Sequence, residues 1–588
     1  MGGILYNSRL RSGFSPVIIF ILISGICTSC SSPPEKVNIF SPASDESISR
    51  STVFCSWQSM ENAAFYHIQI AGNRDFSNPL LDKTVDADKT LIEYDCEDRS
   101  ETVFFIRVRW RSGWSGWSKW SKTVRFFRDE GAPSYFAKTY GGPGVEDWVS
   151  VCRTDDGGYV LIGRTDSFGV GEFDLLAVKC NATGDIQWQY TYGGSKEDKP
   201  GSFGKAVIPS SDGGYLISAV TSSWGTSGKP TPWVVKLHSD GTIAWQKWYG
   251  NSYSSYHRSI LLEDEDGNII LVTIYQSVED KNSRDIWIIK LTSDGENVIW
   301  QRTYGGKEGD YPWTARISKS TVRPGDYLIT GFTYSQDIGF SDPNVSNGLF
   351  LRIEPEKGDV LAARHYGWDT GWFEYDQIRD FTEKQSGELF FIGFSGSTRL
   401  NVGYHSYDIW FARANPWGVI DTDANVLLHS PGNDWHDVGH MIVPGENKNL
   451  YFCGRIDSRY TELGGYYGDD GFLACSTEEG RLLWSKRFVA GADSSDFFRA
   501  VVRRDDGFVL VGETDTFGAG GRDLWVLKTG EEGYLPNTSF DMVDSGLEIK
   551  DRPFQQGDTY AVSAAGVYLE MGNTDAVPRP AELIVTEQ

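Results

Sequence analysis

A phrase of aromatic and glycine residues recurs along the chain, and this recurrence strongly limits the folds that are open to it. The phrase opens with Tyr-Gly or Tyr-Gly-Gly, continues through an Asp-Gly turn, and closes with a Gly followed shortly by Trp. Successive copies begin at Tyr140, Tyr192, Tyr249, Tyr304 and Tyr366, with two degenerate copies near Ser430 and Phe488. The copies are 52 to 64 residues apart. This spacing indicates seven copies of one supersecondary unit, stacked side by side.

Each copy is predicted to form four short antiparallel strands. In the first copy the strands cover about 147–153, 158–164, 173–180 and 185–191. Asp-Gly turns between apolar alternating runs favour hairpins, and four such strands make one blade of a β-propeller. An extra strand, Tyr135–Tyr140, precedes the first copy, whereas the last copy stops after its third strand, Asp523–Lys528. The sequence therefore predicts a seven-bladed β-propeller over 134–533 that is closed by its N-terminal strand.

The rest of the chain is predicted to be β-structured as well, so the fold class is all-β. Aromatic residues make up 14% of the chain, with 65 Gly and only 5 Met, which suits short strands and tight turns. Residues 38–128 alternate in hydropathy and are predicted to form a small β-sandwich. Residues 31–37 form a polar tether before it, and 534–588 are a C-terminal tail or a small β element.

Two motifs resemble known families. Trp114-Ser115-Gly116-Trp117-Ser118-Lys119-Trp120-Ser121 matches the WSxWS motif twice in overlap, so 38–128 resembles a fibronectin type III domain. Its tryptophans are expected to stack with Arg107, Arg109 and Arg111 in a cation–π ladder that stiffens the domain. The Gly–Trp spacing at Gly184/Trp188, Gly241/Trp245 and Gly480/Trp484 resembles the tryptophan-docking repeat of quinoprotein-like propellers. The whole repeat also resembles one found in exported bacterial and archaeal lipoproteins, which implies a fold and no activity.

The N-terminus carries an export signal. Arg9 and Arg11 precede the apolar run Val17–Ile26, and Cys27-Thr28-Ser29-Cys30 resembles a bacterial lipobox. Residues 1–30 are therefore predicted to be a signal peptide, with lipidation at Cys30 anchoring the protein in the cell envelope; plain signal cleavage is the alternative. Ser31 resembles an outer-membrane or cell-surface sorting residue.

Export permits disulfides, and Cys55 and Cys96 are a candidate pair within the small domain. The other four cysteines fall on predicted strands and are expected to be small buried hydrophobic residues. They are Cys152, Cys180, Cys453 and Cys475.

The sequence favours no enzymatic chemistry. The net charge is −25, and no basic stripe suits nucleic acid. His436 and His440 would lie about 13 Å apart along a strand, too far to share an ion, so no metal site and no cofactor is predicted. Acidic residues recur at the predicted strand entries, where turn capping is expected and cation binding is the alternative. They are Asp147, Asp310, Asp434 and Asp496 at first strands, and Asp174, Asp285, Asp408 and Asp523 at third strands.

The candidate binding surface is the end of the propeller that carries the long loops of the fourth to sixth copies. These loops, Phe332–Asn347, Phe394–Tyr407 and Arg455–Gly468, are rich in aromatic residues, and packing among themselves is the simpler alternative. The candidate ligand-binding residues are Trp368, Trp372, Tyr404, Tyr407, Tyr466 and Tyr467. The predicted function is non-enzymatic binding or scaffolding of a protein or glycan ligand; the alternative is a carbohydrate-active or quinone-dependent enzyme.

Overall fold

The computed structural model divides the chain into two compact units, Met1–Asp129 and Glu130–Gln588. It describes residues 36–42, 46–48, 52–95, 103–113, 116–128, 135–225, 229–250, 258–276, 284–312, 316–323, 325–335, 345–367, 375–398, 405–429, 436–445, 448–457, 468–490, 494–504, 507–535, 541–544, 548–550, 555–558, 562–564, 570–573, 579–580 and 584–587. These residues contain many small sheets and no helix, as the all-β prediction requires. Over the same residues no helix is long and apolar enough to span a membrane.

The first unit contains two sheets that share one core. One sheet has three strands, in the order Ile39–Ser41, Thr52–Trp57 and Leu91–Asp95. The other has five strands, in the order Glu46–Ile48, Val124–Arg128, Val103–Arg111, Phe65–Ala71 and Leu81–Asp86. Alternate side chains point inward from both sheets, and Trp57, Ile68 and Ile106 meet in the same buried cluster.

The arginine–tryptophan ladder is present on the outer face of the five-stranded sheet. The guanidinium of Arg107 lies 4.3 Å from the ring centroid of Trp120, and that of Arg111 lies 5.0 Å from Trp117. Arg109 lies between them and contacts both rings, at 4.3 Å from Trp120 and 5.1 Å from Trp117. These contacts confirm the predicted cation–π stacking for the two tryptophans that the structure describes.

The second unit contains seven four-stranded units, which we number as sheets 1 to 7 in chain order of their first strands. The first four are, in strand order, sheet 1, Glu146–Arg153, Tyr159–Thr165, Asp174–Cys180 and Ile186–Tyr192; sheet 2, Asp198–Pro200 with Val207–Pro209, then Tyr215–Thr221, Thr231–Leu237 and Ile243–Gly250; sheet 3, Ser259–Glu263, Ile269–Gln276, Arg284–Leu291 and Val298–Gly305; and sheet 4, Asp310–Tyr311 with Ile317–Lys319, then Tyr327–Thr333, Asn347–Ile353 and Val360–Gly367.

The remaining three sheets follow the same plan. They are sheet 5, Asp376–Glu383, Leu389–Thr398, His405–Ala414 and Ile420–His429; sheet 6, Val438–Pro444, Asn449–Asp457, Asp469–Thr477 and Leu482–Val489; and sheet 7, Asp496–Arg504, Gly507–Thr514, Asp523–Thr529 and, from the start of the unit, Phe136–Gly141. The pairing of Phe136–Gly141 with Asp523–Thr529 is the one that the strand count predicts.

The recurring tyrosine and glycine of the repeat form one contact between neighbouring sheets. The hydroxyl of Tyr192, at the end of sheet 1, donates to the carbonyl of Gly241 in the last turn of sheet 2, at 2.6 Å. Gly241 has a φ of +83°, which only glycine adopts without strain. The same bond joins Tyr249 to Gly295, Tyr304 to Gly358 and Tyr366 to Gly418. Tyr140 of sheet 7 makes it to Gly184 of sheet 1, at 2.6 Å, so the seventh sheet meets the first through the same contact that joins each of sheets 1 to 4 to the next sheet.

The C-terminal segment supplies a fifth strand to every sheet. Seven short strands each pair antiparallel with the outermost strand of one sheet. In chain order they are Asp541–Asp544 on sheet 6, Glu548–Lys550 on sheet 5, Gln555–Asp558 on sheet 4, Val562–Ala564 on sheet 3, Glu570–Asn573 on sheet 2, Arg579–Pro580 on sheet 1 and Ile584–Glu587 on sheet 7. We call these seven strands the edge belt. Each of them pairs with one of the repeats.

Acidic residues at the strand entries cap the Tyr-Gly turns, as predicted. Oδ2 of Asp310 accepts hydrogen bonds from the amide of Gly306 at 2.8 Å and from the hydroxyl of Ser335 at 2.8 Å. In sheet 1 the equivalent acceptor is Glu146, bonded to the amide of Gly142, and not Asp147, which pairs with Arg164. Asp147 was therefore the wrong choice of capping residue, because the cap is the first residue of the strand. Asp434 lies outside the described residues.

Carboxyl groups of neighbouring sheets meet at these turns. A methyl group at Gly305 would lie 2.4 Å from Oδ1 of Asp285 in sheet 3 and 2.6 Å from Oδ2 of Asp310 in sheet 4. Burial, with the nearby Asp285 carboxylate adding to it, raises the pKa of Asp310 to about 7. Between sheets 4 and 5 the position of Asp285 is occupied by Asn347, which lies opposite Asp376. The amide of Asn347 does not ionise, so only one of the two side chains at this junction can carry a charge.

Asp310→Asn is expected to remove a loss of stability that the native protein shows as pH rises from about 4 to about 7. Because the folded-state pKa lies above the ordinary value of 3.8, the folded protein holds a proton that the unfolded chain releases, so the free energy of unfolding falls as pH rises from about 4 to about 7. The measured quantity is the free energy of unfolding of the variant minus that of the native protein, from thermal or urea unfolding. This difference should be about 2–4 kcal/mol more favourable to the variant at pH 8 than at pH 4. Asp240→Asn is the control, because hydrogen bonds from Thr242 lower the pKa of that carboxyl and the variant should not show this gain. Equal pH profiles for the native protein and Asp310→Asn would contradict the account.

The described cysteines are buried, as expected. Cys152, Cys180, Cys453 and Cys475 lie within strands, and each is less than a tenth exposed. Cys55 is fully buried, and Ile92 lies opposite it in the strand register. Cys96 lies outside the described residues, so its pairing with Cys55 stays a prediction.

Candidate functional site

The first strands of sheets 5, 6 and 7 each contain a β-bulge at the same distance from the strand entry. In sheets 5, 6 and 7 the register skips one residue, and these residues are Arg379, His440 and Arg499. Each follows the acidic residue at the strand entry by three positions, after Asp376, Asp437 and Asp496. A bulge of this kind re-aims a side chain away from the ladder, so three sheets present a basic side chain at the same level.

The first strands also converge, because residues from distant sheets touch. Nζ of Lys205, in the insertion within the first strand of sheet 2, lies 3.5 Å from Oδ1 of Asp380 in sheet 5. Arg316 of sheet 4 contacts the same carboxylate at 3.3 Å, and Nδ1 of His440 lies 2.7 Å from the carbonyl oxygen of Phe498 in sheet 7. We call the side chains gathered here the inner-strand cluster. Its members are Trp148, Arg164, Lys199, Phe203, Lys205, Arg258, Arg316, Arg379, His440, Arg455 and Arg499.

Two aromatic rings lie among the cations of this cluster. The centroids of Trp148 and Phe203 are 4.7 Å apart. The guanidinium of Arg258 lies 4.2 Å from the Trp148 ring and 4.7 Å from the Phe203 ring, while that of Arg499 lies 4.0 Å from Phe203. Nζ of Lys199 lies 4.8 Å from the Trp148 ring. The rings therefore hold the cationic groups in place from one side.

The backbone of Trp148 is strained, and the strain places its ring. Trp148 has a φ of +61°, which a bulky side chain adopts only when its surroundings require it. Its amide donates to Oε1 of Glu513 in sheet 7 at 2.8 Å, which holds this conformation. Strained residues of this kind collect at binding sites, so the geometry of Trp148 is a second sign of function, independent of the charges.

A second aromatic group lies beside Arg379. The guanidinium of Arg379 is 4.9 Å from the ring centroid of Phe394. Phe394 in turn lies 4.7 Å from Tyr407, and Tyr407 lies 4.4 Å from His436. Nε of Arg379 is buried and has no hydrogen-bond partner within the described residues. This donor is therefore not used by any of the described residues.

Burial, and after it the crowding of like charges, lowers the pKa of these groups. Burial, with the positive charges of Arg499 and Arg164 adding to it, lowers the pKa of Arg258 to about 9. Burial and the neighbouring Arg455, Arg499 and Arg258 lower the pKa of Arg379 to about 9. Burial likewise lowers the pKa of Lys205 to about 7, with Arg316 contributing, and that of His440 well below its usual value. The cluster therefore concentrates cationic groups at one place in a chain of net charge −25.

The carboxylates near the cluster form ion pairs with arginine or lysine side chains. Asp147 accepts two hydrogen bonds from Arg164, at 2.6 and 3.0 Å. Glu197 bonds Arg164 and Lys199, at 2.7 and 3.0 Å. Asp380 contacts Lys205 and Arg316, and Glu513 contacts Arg499 and Arg522.

The cations outnumber these carboxylates, so the arrangement can attract and hold a negatively charged group. Each of these four carboxylates has a cationic partner, and so does Asp469, which pairs with Arg455 of the cluster at 2.9 Å. A general acid or base would need to be free of such a partner for proton transfer.

Only one of the six sequence-predicted ligand residues can be placed. Tyr407 is half-buried and lies beside the cluster, on the side of Arg379. It was predicted in a loop, which was wrong: it lies within the strand His405–Ala414, opposite Gly396, because the hairpin of sheet 5 extends to Thr398 and His405. Trp368, Trp372, Tyr404, Tyr466 and Tyr467 lie outside the described residues, as does Cys30.

Sequence patterns provide only a weak signal for the arginines of the cluster. Arg379, His440 and Arg499 share the spacing of three from an entry Asp. Lys205 and Arg316 instead follow Asp198 and Asp310 by seven and six positions, and Arg258 directly precedes the first strand of sheet 3. No group of three metal-ligating side chains is present in the parts of the chain that the structure describes. His436 and His440 have separate contacts, with Tyr407 and with Phe498.

Comparison with known proteins identifies no family. No family model matches the sequence, and no curated protein matches it. A protein of unknown function from Dyadobacter fermentans is 11% identical, covers 59% of this chain and all of its own, and has a TM-score of 0.33. A glycoside hydrolase family 32 structure from Bifidobacterium adolescentis is 7% identical, covers 91% of this chain and 99% of its own, and has a TM-score of 0.24. An extracellular domain from B. thetaiotaomicron is 11% identical, with coverages of 88% and 67% and a TM-score of 0.13.

Proposed function

We propose that the second unit is a closed seven-bladed propeller with the inner-strand cluster on its axis. The repeated tyrosine–glycine bond between neighbouring sheets supports this, because Tyr140 and Gly184 make it between the last sheet and the first. The contact of Lys205 with Asp380, three sheets apart, supports a common axis. The order of the strands within the two sheets of the first unit supports a fibronectin type III-like domain, and so does the arginine–tryptophan ladder.

We propose that the protein is a non-enzymatic binding protein for an anionic ligand, which enters the propeller axis. The excess of arginine and lysine over carboxylate in the inner-strand cluster is the observation that carries this function. A guanidinium suits carboxylate, sulfate or phosphate oxygens, and Arg379 has a buried donor to offer. The pairing of the surrounding carboxylates with cations supports binding, and gives a carbohydrate-active or quinone-dependent enzyme less support.

We also propose that binding takes place at the cell envelope. The export signal and the lipobox-like Cys30 support a lipid anchor, with 31–37 as its tether. The first unit would then connect this anchor to the propeller.

Arg379→Gln is expected to weaken binding of the anionic ligand by about 10- to 100-fold, because one charge-assisted hydrogen bond is lost. The soluble protein from residue 31 onward would first be screened on an array of acidic, neutral and basic glycans and peptides. The acidic hit would then be titrated by calorimetry at two salt concentrations, where higher salt should weaken binding. Arg153→Gln, at an exposed position on sheet 1, is the matched control. Binding of neutral probes alone, or equal affinity in the Arg379 variant, would contradict the proposed function.

A further inference from the structure

Exposed apolar side chains gather at one end of the second unit, the end that carries the turns between the third and fourth strands. Most of the large apolar side chains that are exposed in the described part of this unit lie in or directly after these turns, in sheets 3 to 7. We call them the apolar rim: Ile299, Leu361, Trp417, Val419, Leu483 and Tyr534. Single exposed apolar residues are ordinary on a protein surface, whereas their concentration at one end marks a contact surface.

A repeated β-bulge explains why three of these side chains are exposed. In sheets 3, 4 and 6 the pairing register skips the second residue of the fourth strand, which is Ile299, Leu361 or Leu483. A bulged residue lies outside the ladder, so its side chain can turn towards solvent. The same bulge in sheets 1 and 2 holds Gln187 and Ala244. The large apolar side chains are therefore a property of this arc of sheets and not a requirement of the bulge.

The turns that carry the rim lie against one another in a row. Nε1 of Trp300 in sheet 3 donates to the carbonyl of Pro355 in the turn of sheet 4, at 2.9 Å. The hydroxyl of Tyr366 in sheet 4 donates to the carbonyl of Gly418 in the turn of sheet 5, at 2.6 Å. Rim side chains therefore lie at one level of neighbouring sheets, where a flat surface could contact several of them together.

A partner that adds a strand to the sheets does not suit this end. The edge belt pairs only with the later part of the fourth strands, such as Thr303–Gly305 and Arg364–Gly367. The earlier part is uncovered, but the bulges interrupt it, so it is not a regular edge. Rim side chains also alternate with exposed charged residues, such as Glu296, Lys357 and Glu479. The centre of a stable protein interface is depleted of charged residues.

A lipid surface suits the rim better. Leucine, isoleucine and valine side chains with Trp and Tyr among them are typical of segments that lie in the interface of a bilayer. The chain that carries the predicted lipid anchor enters the second unit at this end, because Phe136 begins the fourth strand of sheet 7 and a methyl group at Gly184, in the turn of sheet 1, would lie 2.9 Å from its ring. Exposed acidic residues flank the rim, among them Asp294, Glu356 and Glu532, so an anionic surface would repel it.

We propose that the apolar rim rests on the surface of a zwitterionic lipid bilayer. This inference rests on the proposed envelope anchor and adds a second membrane contact, which orients the second unit. The entries of the first strands, beside Trp148 and Lys199 of the inner-strand cluster, lie at the opposite end of the sheets because successive strands are antiparallel. The contact would therefore leave that end open to a ligand.

Fluorophores placed on the rim test this contact. The protein from residue 31 onward would be held on phosphatidylcholine vesicles by an N-terminal polyhistidine tag and a zinc-chelating lipid, so that the natural anchor is not needed. A nitrobenzoxadiazole group, whose emission rises when it leaves water, would be attached at Ile299→Cys, Leu361→Cys or Leu483→Cys. Emission is expected to rise about twofold or more when vesicles are added, because the label enters the boundary of the acyl chains. The unsubstituted protein, labelled in parallel, corrects for reaction at the native cysteines.

Val170→Cys is the matched control for the labelled positions. Val170 is 53% exposed, compared with 46% for Ile299, but it lies between the second and third strands of sheet 1, at the opposite end. Its label should not respond to vesicles. Trp417→Ser combined with Tyr534→Ser removes the two aromatic side chains of the rim and should reduce the rise at Leu483→Cys. Vesicles that contain anionic phosphatidylglycerol should also give a smaller rise.

Unchanged emission at all three rim positions, or an equal rise at Val170→Cys, would overturn the inference. A rise that follows protein concentration without vesicles would also overturn it, because a second copy of the chain would then cover the rim. Mass spectrometry of the mature N-terminus tests the proposed anchor separately. An unmodified Cys30 would contradict the anchor and leave the vesicle result standing.

Discussion

Deleting residues 134–141 is expected to destabilise the whole second unit. The strand Phe136–Gly141 lies between Asp523–Thr529 and the edge-belt strand Ile584–Glu587, so its loss removes pairing on both sides. It also removes the fully buried Tyr140 and its hydrogen bond to Gly184. A large buried side chain and several hydrogen bonds together account for about 5 kcal/mol or more, a large share of the stability of a domain.

Thermal unfolding followed by circular dichroism measures this loss. Tyr140→Phe is the graded variant, because it removes only the hydroxyl and is expected to cost about 1–2 kcal/mol. Tyr190→Phe, on the half-buried face of the neighbouring strand Ile186–Tyr192, is the control and should cost less. If the deletion leaves the midpoint of unfolding unchanged, the closure of the ring by this strand is wrong.

Truncation after residue 535 is expected to make the protein associate into larger species than the full-length chain forms. The edge belt covers the outermost strand of all seven sheets, and its removal leaves seven rows of backbone N–H and C=O groups unpaired. Exposed edges of this kind pair with other chains. Loss of the belt's hydrogen bonds lowers the free energy of unfolding by several kcal/mol, an effect of about 0.5–1.5 kcal/mol per bond that the ordering entropy of the segment partly offsets.

Graded truncations make this expectation specific. A chain that stops after residue 582 loses only the strand on sheet 7, whereas one that stops after residue 545 keeps only the strand on sheet 6. Light scattering after size exclusion should show association that increases as more strands are removed, and the unfolding temperature should fall in the same order. A chain ending at residue 535 that associates no more than the full-length chain and is equally stable would show that the belt contributes nothing to the fold.

The strands of the repeats could be predicted from the sequence because their signals are local. Alternation, Asp-Gly turns and the returning Tyr-Gly phrase place the four strands of sheet 1 within about two residues of their observed bounds. The strand count also predicts the pairing of Phe136–Gly141 with the last sheet. The edge belt could not be predicted in this way, because its strands are two to four residues long and carry no alternation. These strands pair with the outermost strands of the seven sheets, and those sheet edges form only when the repeats fold.

The candidate site could not be predicted from local signals. Arg258, Arg379 and Arg499 are more than one hundred residues apart in sequence, and only the convergence of the first strands brings them together. The prediction favoured aromatic residues in long loops, because such loops commonly carry binding sites. Tyr407 is the one described residue of the predicted aromatic set that lies next to the inner-strand cluster. Bulges such as the one at Arg379 depend on pairing register, which the sequence of one strand does not specify.

Anomalous diffraction from a bromide-soaked crystal tests the central claim most directly, because bromide binds wherever a protein presents unneutralised cationic groups. The account predicts a strong anomalous peak at the inner-strand cluster, within contact distance of Arg379 and near Arg258 and Arg499. The same soak of Arg379→Gln should weaken or abolish that peak and leave peaks at surface lysines unchanged. Bromide peaks confined to the outer surface of the native protein, with none among the first strands of the seven sheets, would contradict an axial anion site.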